Sequence, residues 1–144
     1  MLLGEYEHTL DDKNRLTLPA KLRQAFAGEV VVSRGLDGCL FVFTRDNWDS
    51  FVGAQLQELS PFSKEARQMS RYMFAGAAET ELDKQGRMMV PPSLLEHAGL
   101  GREVVVAGVR DHVEIWDRAA WKQQIEEVEG SVELVAERLA AKQD

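Results

Sequence analysis

Asp11-Asp12-Lys13-Asn14-Arg15-Leu16-Thr17-Leu18-Pro19 returns as Asp83-Lys84-Gln85-Gly86-Arg87-Met88-Met89-Val90-Pro91, seventy-two positions further on. The correspondence runs past the motif. Pro19-Ala20-Lys21-Leu22-Arg23 parallels Pro91-Pro92-Ser93-Leu94-Leu95, and Glu29-Val30-Val31-Val32 parallels Glu103-Val104-Val105-Val106. Leu40-Phe41-Val42-Phe43 through Trp48 parallels Val113-Glu114-Ile115-Trp116 through Trp121. One supersecondary unit therefore occurs twice. A unit this short buries too little apolar surface to stand alone, so the two copies are expected to bury each other around a pseudo-twofold axis. The chain reads as a mostly β, α+β pseudo-dimer barrel with short and amphipathic helices.

Each copy follows the order strand, turn, strand, short helix, strand, turn, strand, helix. Asn14 and Gly86 hold the same place in the first turn, and these two residue types tolerate positive φ best. Pro19 and Pro91 end the second strand and open a helix of about two turns, stopped near Gly28 and at Gly99. The valine runs at 30–32 and 104–106 predict strands covered on both faces. Gly35-Leu36-Asp37-Gly38 and Arg110-Asp111-His112 predict turns before the fourth strand. Asp46 and Asp117 are placed to cap helices that carry Trp48 and Trp121. Ser60-Pro61-Phe62-Ser63 breaks the first of these, and Ser63 caps a further helix that ends at Gly76. On that helix Ala66, Met69, Tyr72 and Met73 share one expected core face. Ile125, Val128, Val132, Val135 and Leu139 predict an amphipathic tail helix packing on a neighbour, with a break at Gly130. The expected divisions are 5–47 (repeat 1), 48–75 (helical connection), 76–119 (repeat 2) and 120–144 (acidic C-terminal helix).

The 144 residues carry a net charge of −7, which argues against nucleic acid if taken as a sum, because phosphate neutralisation needs lysine and arginine. Its distribution weakens the objection. Residues 1–46 are close to neutral, and much of the excess lies at Glu126, Glu127, Glu129, Glu133 and Glu137. No apolar run approaches the roughly 20 residues of a membrane span. Met1-Leu2-Leu3-Gly4-Glu5 lacks the pattern of a secretory signal, and the single Cys39 fits a reducing cytoplasm.

The candidate site is the D-x-x-x-R motif, Asp11 with Arg15 and again Asp83 with Arg87. An arginine on the outgoing side of a tight turn can reach a groove, pairing with guanine O6 and N7 or gripping phosphate. Asp11 and Asp83 cannot contact phosphate favourably, so they are assigned to the turns together with Asn14 and Gly86. Lys13, Lys21 and Arg23 are the expected phosphate contacts of repeat 1, and Lys84 that of repeat 2. Gln85, Ser93 and Leu95 stand where repeat 1 has Lys13, Lys21 and Arg23, so the first hairpin is expected to dominate. An aspartate and arginine four apart also make a surface ion pair worth ~0–1 kcal/mol, and recurrence of the motif favours function.

Catalytic signatures are absent. His8, His97 and His112 lack metal-ligand spacing, neither Asp11-Asp12 nor Glu126-Glu127 faces a common substrate, and no phosphate-binding or nucleophile-elbow motif occurs. No cofactor or metal is expected. The basic and aromatic residues of 64–72 could suggest single-strand binding, but their helical spacing favours core.

Gly4-Glu5-Tyr6-Glu7-His8-Thr9-Leu10-Asp11, leading into Arg15-Leu16-Thr17-Leu18-Pro19-Ala20-Lys21, resembles the first half of the bacterial MraZ family. Asp83-Lys84-Gln85-Gly86-Arg87, Pro91, His97-Ala98-Gly99-Leu100 and Glu114-Ile115-Trp116-Asp117 resemble its second half. The resemblance covers nearly all of residues 1–121. It implies two swapped-hairpin units of AbrB type per chain and a ring-shaped, octamer-like homo-oligomer in the cytoplasm at the nucleoid. It also implies a transcriptional regulator, by expectation a repressor, binding short direct repeats in promoter DNA ahead of the division and cell-wall gene cluster that includes its own gene. The alternative is an antitoxin-like or scaffold module that docks a partner protein through the acidic tail without specific DNA readout.

Overall fold

The computed structural model of the chain describes residues 1–142. The first repeat supplies β1 (Leu2–Thr9), β2 (Arg15–Thr17), α1 (Ala20–Arg23), β3 (Glu29–Arg34) and β4 (Leu40–Phe43). Then α2 (Arg45–Trp48) continues through a widened π-type turn, Asp49–Gly53, into α3 (Ala54–Gln57). α4 (Lys64–Ser70) ends in a similar turn, Arg71–Ala75. The second repeat supplies β5 (Ala78–Glu81), β6 (Arg87–Met89), α5 (Pro92–His97), β7 (Glu103–Arg110), β8 (Val113–Asp117) and α6 (Arg118–Lys142). The expected order of elements is present in both copies.

The copies are interleaved. An open antiparallel sheet runs β1-β7-β8-β4-β3-β5, symmetric about the central β8–β4 pair. β1 of the first repeat lies on β7 of the second, from Leu2↔Arg110 to Thr9↔Glu103, and β5 of the second lies on β3 of the first. The remaining strands, β2 and β6, pair across the repeats in a separate two-stranded ribbon. Close approach in this exchange needs a glycine: a Cβ on Gly108 would stand 2.6 Å from the Leu3 nitrogen of the crossing strand.

The valine runs show how the sequence divides the interior. Val30, Val32, Val104 and Val106 join Leu16, Leu18, Met88 and Val90 in the main core between sheet and ribbon. Val31 and Val105 face the other way, into a second core with Phe41, Phe43, Trp48, Met73 and Trp116 beneath the helices. With period-two alternation, a β-branched run covered on both sides serves two cores at once. Each fully buried Val or Leu contributes roughly 1.5–3 kcal/mol by area removed from water.

Three local expectations change. Thr44, not Asp46, caps α2, its hydroxyl accepting from the Asn47 N–H at 3.1 Å, because Asp46 already lies inside the first turn. Met69 is exposed, since the π-type turn after Ser70 rotates the helix so that Met73 takes the core position. Gly130 does not break α6, which is continuous from Arg118 to Lys142. Within the one chain that helix fully buries no residue, its first turn packing Ala120 and Trp121 partly against the second core. The remaining caps fall as expected at Ser63, which accepts from Ala66 N–H, and at Asp117, which accepts from Ala120 N–H. The last two residues of the expected 120–144 helix lie outside the described residues.

Candidate nucleic-acid interface

The two D-x-x-x-R turns are built alike. Asp11 Oδ1 accepts from the backbone N–H groups of Lys13 and Arg15, both at 2.9 Å, and Oδ2 accepts from Arg15 Nε at 2.7 Å. Asp83 repeats this on Gln85, Arg87 and Arg87 Nε with the same three distances. Asn14 at φ 58° and Gly86 at φ 77° close the turns in the left-handed region. The backbone N–H of each arginine, followed by its guanidinium and the N–H at the turn tip, holds both carboxyls below the usual carboxylate range. They are ionised at neutral pH, and each uses both oxygens to fix the direction of one arginine.

The ribbon sets where those arginines point. Leu16 and Met88 are fully buried on its inner side, so alternation turns Arg15, Thr17, Arg87 and Met89 to the outer side. The register Arg15↔Met89 and Thr17↔Arg87 puts the two arginines on one face. From strand geometry they stand about 7 Å apart along the ribbon and about 5 Å across it. Met89, half exposed, stands directly across from Arg15 on that face. Thr17 and Met89 were missed by motif reading; the signal that finds them is the alternation around Leu16 and Met88.

The hairpins diverge at their tips. Gln85, in the place of Lys13, accepts from Arg87 Nη2 through its side-chain oxygen at 2.8 Å, so Arg87 has a second partner that Arg15 lacks. Arg23 lies on the second turn. Its Nη1 donates to the Gln85 carbonyl at 2.9 Å, and a Cβ on Gly86 would collide with that nitrogen. Arg23 comes from repeat 1, and the exchange carries it there: Leu18 N–H donates to the Gly86 carbonyl, while Val90 N–H donates to the Asn14 carbonyl. Asp12, at the first tip, is engaged by Arg102 at 3.1 Å. Among the described residues Lys13, Lys21 and Lys84 are exposed and have no ion-pair partner.

The other groups weighed in the sequence lie elsewhere. His112 is buried among Phe41, Phe43 and Phe51 and bonded to Glu114 at 3.0 Å, while His97 faces the Tyr72 hydroxyl. Cys39 is enclosed, and burial, then the carboxylates of Glu114 and Asp37, push its thiol far up, which makes it a core residue. Among the described residues no cluster of three His, Cys, Asp or Glu side chains could hold a metal, and no helix is long and apolar enough to cross a membrane.

A family model described as "MraZ protein, putative antitoxin-like" matches the chain twice, over residues 1–72 and 73–142. Proteins named transcriptional regulator MraZ are similar along nearly the full length. That of Roseiflexus castenholzii is 44% identical over 140 residues, 97% of each chain. Those of Lachnoclostridium phytofermentans and Pediococcus pentosaceus are 48% identical over 122 residues, 85% of each chain, and 45% identical over 139 residues, 96% of each chain. On these matches and on the paired repeats that the fold interleaves, the chain belongs to the MraZ family.

Proposed function

We propose that the protein regulates transcription by binding duplex DNA with the outer face of the β2–β6 ribbon. The observation that carries this reading is the pair of guanidinium groups that two identically built turns set on one face of one ribbon. A two-stranded ribbon fits the B-DNA major groove, about 12 Å wide, where an arginine fork matches guanine O6 and N7. Arg15 is the principal base contact. Arg87 is a second, Met89 and Thr17 lie beside them for apolar contact such as a thymine methyl, and Lys13, Lys84, Lys21 and Arg23 face phosphates.

One ribbon makes few contacts, so affinity comes from several copies on a common homo-oligomeric scaffold, a ring, engaging short direct repeats in one promoter. The promoter is that ahead of the protein's own gene and the division and cell-wall cluster, and occupying it represses transcription in the cytoplasm at the nucleoid. Titration of that upstream duplex against a scrambled duplex of the same length, at two salt concentrations, tests the reading. Preference for the upstream duplex that survives added salt supports it. Equal binding to both, vanishing together with salt, would leave only nonspecific charge attraction and overturn it.

A further inference from the structure

The tips of the two hairpins carry opposite charges at one matching position. Asp12 stands in the first repeat where Lys84 stands in the second. A carboxylate on a tip that approaches phosphate weakens binding, and Asp12 also cancels the charge of its neighbour Lys13. The acid does not stand alone, because Arg102 Nη1 donates to Asp12 Oδ1 at 3.1 Å.

The sheet delivers this arginine. β1 and β7 pair as far as Thr9↔Glu103, and one step further the Leu10 N–H donates to the Arg102 carbonyl at 2.8 Å. Arg102 is therefore fixed at the root of the first hairpin, and its side chain spans to the tip. The same step in the other half of the sheet is the Leu82 N–H donating to the Gly28 carbonyl, also at 2.8 Å, and a glycine at φ 92° brings no side chain. The second tip obtains its arginine from elsewhere: Arg23 on α1 reaches the Gln85 carbonyl at 2.9 Å. Leu95, in the place of Arg23 in the second repeat, packs against the main core instead. Each tip thus receives one guanidinium from the opposite repeat, through positions that the repeat does not relate. Duplication of the unit gives no reason for this convergence, whereas a need for positive charge at both tips does.

Both partners of the Arg102–Asp12 pair are exposed, so the pair adds little to folding stability. Its effect falls on what approaches the tip. We infer that Arg102 is a positioning residue of the DNA contact: by neutralising Asp12 it lets Lys13 and Arg15 meet the duplex without a free carboxylate beside them. It acts through Asp12 and touches no base. The inference deepens the proposed function and rests on DNA lying against the ribbon.

Isotherms with the upstream duplex at low and moderate salt test it, on Arg102→Ala, Asp12→Asn and the chain carrying both, with Arg15→Ala as reference. Arg102→Ala weakens binding about fivefold at low salt, the size of one charge pair at 4 Å in water, and by less as salt screens the tip. Asp12→Asn binds at least as tightly as wild type. The double variant returns to within about twofold of wild type, because without the carboxylate the arginine has nothing to neutralise. Melting temperatures of all three stay with that of wild type. A double variant that binds no better than Arg102→Ala, with the salt dependence flattened by about one unit, overturns the inference and makes Arg102 itself a phosphate contact. Arg102→Ala that binds as wild type while Arg15→Ala does not also overturns it, leaving a surface ion pair. If Arg15→Ala and Arg102→Ala both bind as wild type, the ribbon is not the DNA face and the proposed function itself fails.

Discussion

The two ends of the β2–β6 ribbon share a backbone and differ in chemistry. At the first end Arg15 has one partner, Asp11, and the tip carries Lys13 beside an Asp12 that Arg102 engages. At the second, Arg87 is held by both Asp83 and Gln85, and the tip carries Lys84 with Arg23 lying across it. Counted along the sequence, repeat 1 owns four cations around its hairpin. Sorted in space, Arg23 leaves that hairpin for the other, because interleaving sets α1 of one repeat beside the turn of its twin. The first end presents the freer arginine, and the second gains a rim cation that the sequence assigns to the first. Under the proposed function, base reading and phosphate grip would be divided between ends that a linear motif makes look unequal in one direction only.

The largest expected effect separates the arginines. Arg15→Ala should weaken binding to the upstream duplex by on the order of 10- to 100-fold for each guanine that the side chain reads, with oligomer mass and thermal stability unchanged. Arg87→Ala should cost less, since part of its guanidinium is already committed to Gln85. Isotherms on both variants decide it, and equal losses would erase the distinction between the ends.

Phosphate contact should show the opposite bias. Lys84→Gln and Lys13→Gln should each flatten the logarithmic salt dependence by roughly one unit for each bound ribbon, and Arg23→Gln, removing the cation that lies on the second turn, by roughly one more at that end. A larger change from Lys13 alone would return the dominant grip to the first hairpin. Gln85→Lys is the converse experiment: it releases Arg87 and adds a cation, so the slope should steepen by about one unit per ribbon and the gap between Arg15→Ala and Arg87→Ala should narrow.

The turns themselves differ in tolerance. Gly86→Ala forces a Cβ against Arg23 at φ 77° and should destabilise the fold by ~1 kcal/mol or more, whereas Asn14→Gly, in open left-handed backbone, should stay within ~0.5 kcal/mol. Thermal melts of the two variants compare them. The smallest effect concerns acid, and here the ends should agree. Both aspartates have lowered native carboxyl pKa values, so their contribution is present above the unfolded value near ~4 and is lost as pH falls below it through the native value. The difference in melting temperature between wild type and Asp11→Asn should hold from neutrality to about pH 5 and shrink below pH 4, and Asp83→Asn should trace the same curve. A difference that grows on acidification would reverse the sign of the linkage.

Much of this architecture was legible in the sequence because its signals are local. Asn14 and Gly86 announce their φ, Pro19 and Pro91 the helix starts, and the valine triplets their two-sided burial. What was not legible depends on distance. No pattern along the chain says that Arg23 touches Gln85 or that Arg102 engages Asp12, because those contacts follow from exchange between repeats. Met69 was misplaced for a different reason: the π-type turn after Ser70 departs from the regular helical period on which the expectation rested. The exposed seam of α6 was read correctly as apolar, but a single chain shows no neighbour on which it packs.

The central claim is that DNA lies on the outer face of the β2–β6 ribbon. A photo-cross-linking residue placed at Met89, on that face across from Arg15, tests it most directly, with the same residue at Val132 on α6 for comparison. Irradiation with labelled upstream duplex should join DNA to position 89, in competition with unlabelled specific duplex and dependent on Arg15, and should leave position 132 unjoined. Cross-links from position 132, or none from position 89 in a preparation that shifts the same duplex, would contradict the claim and move the DNA to another face.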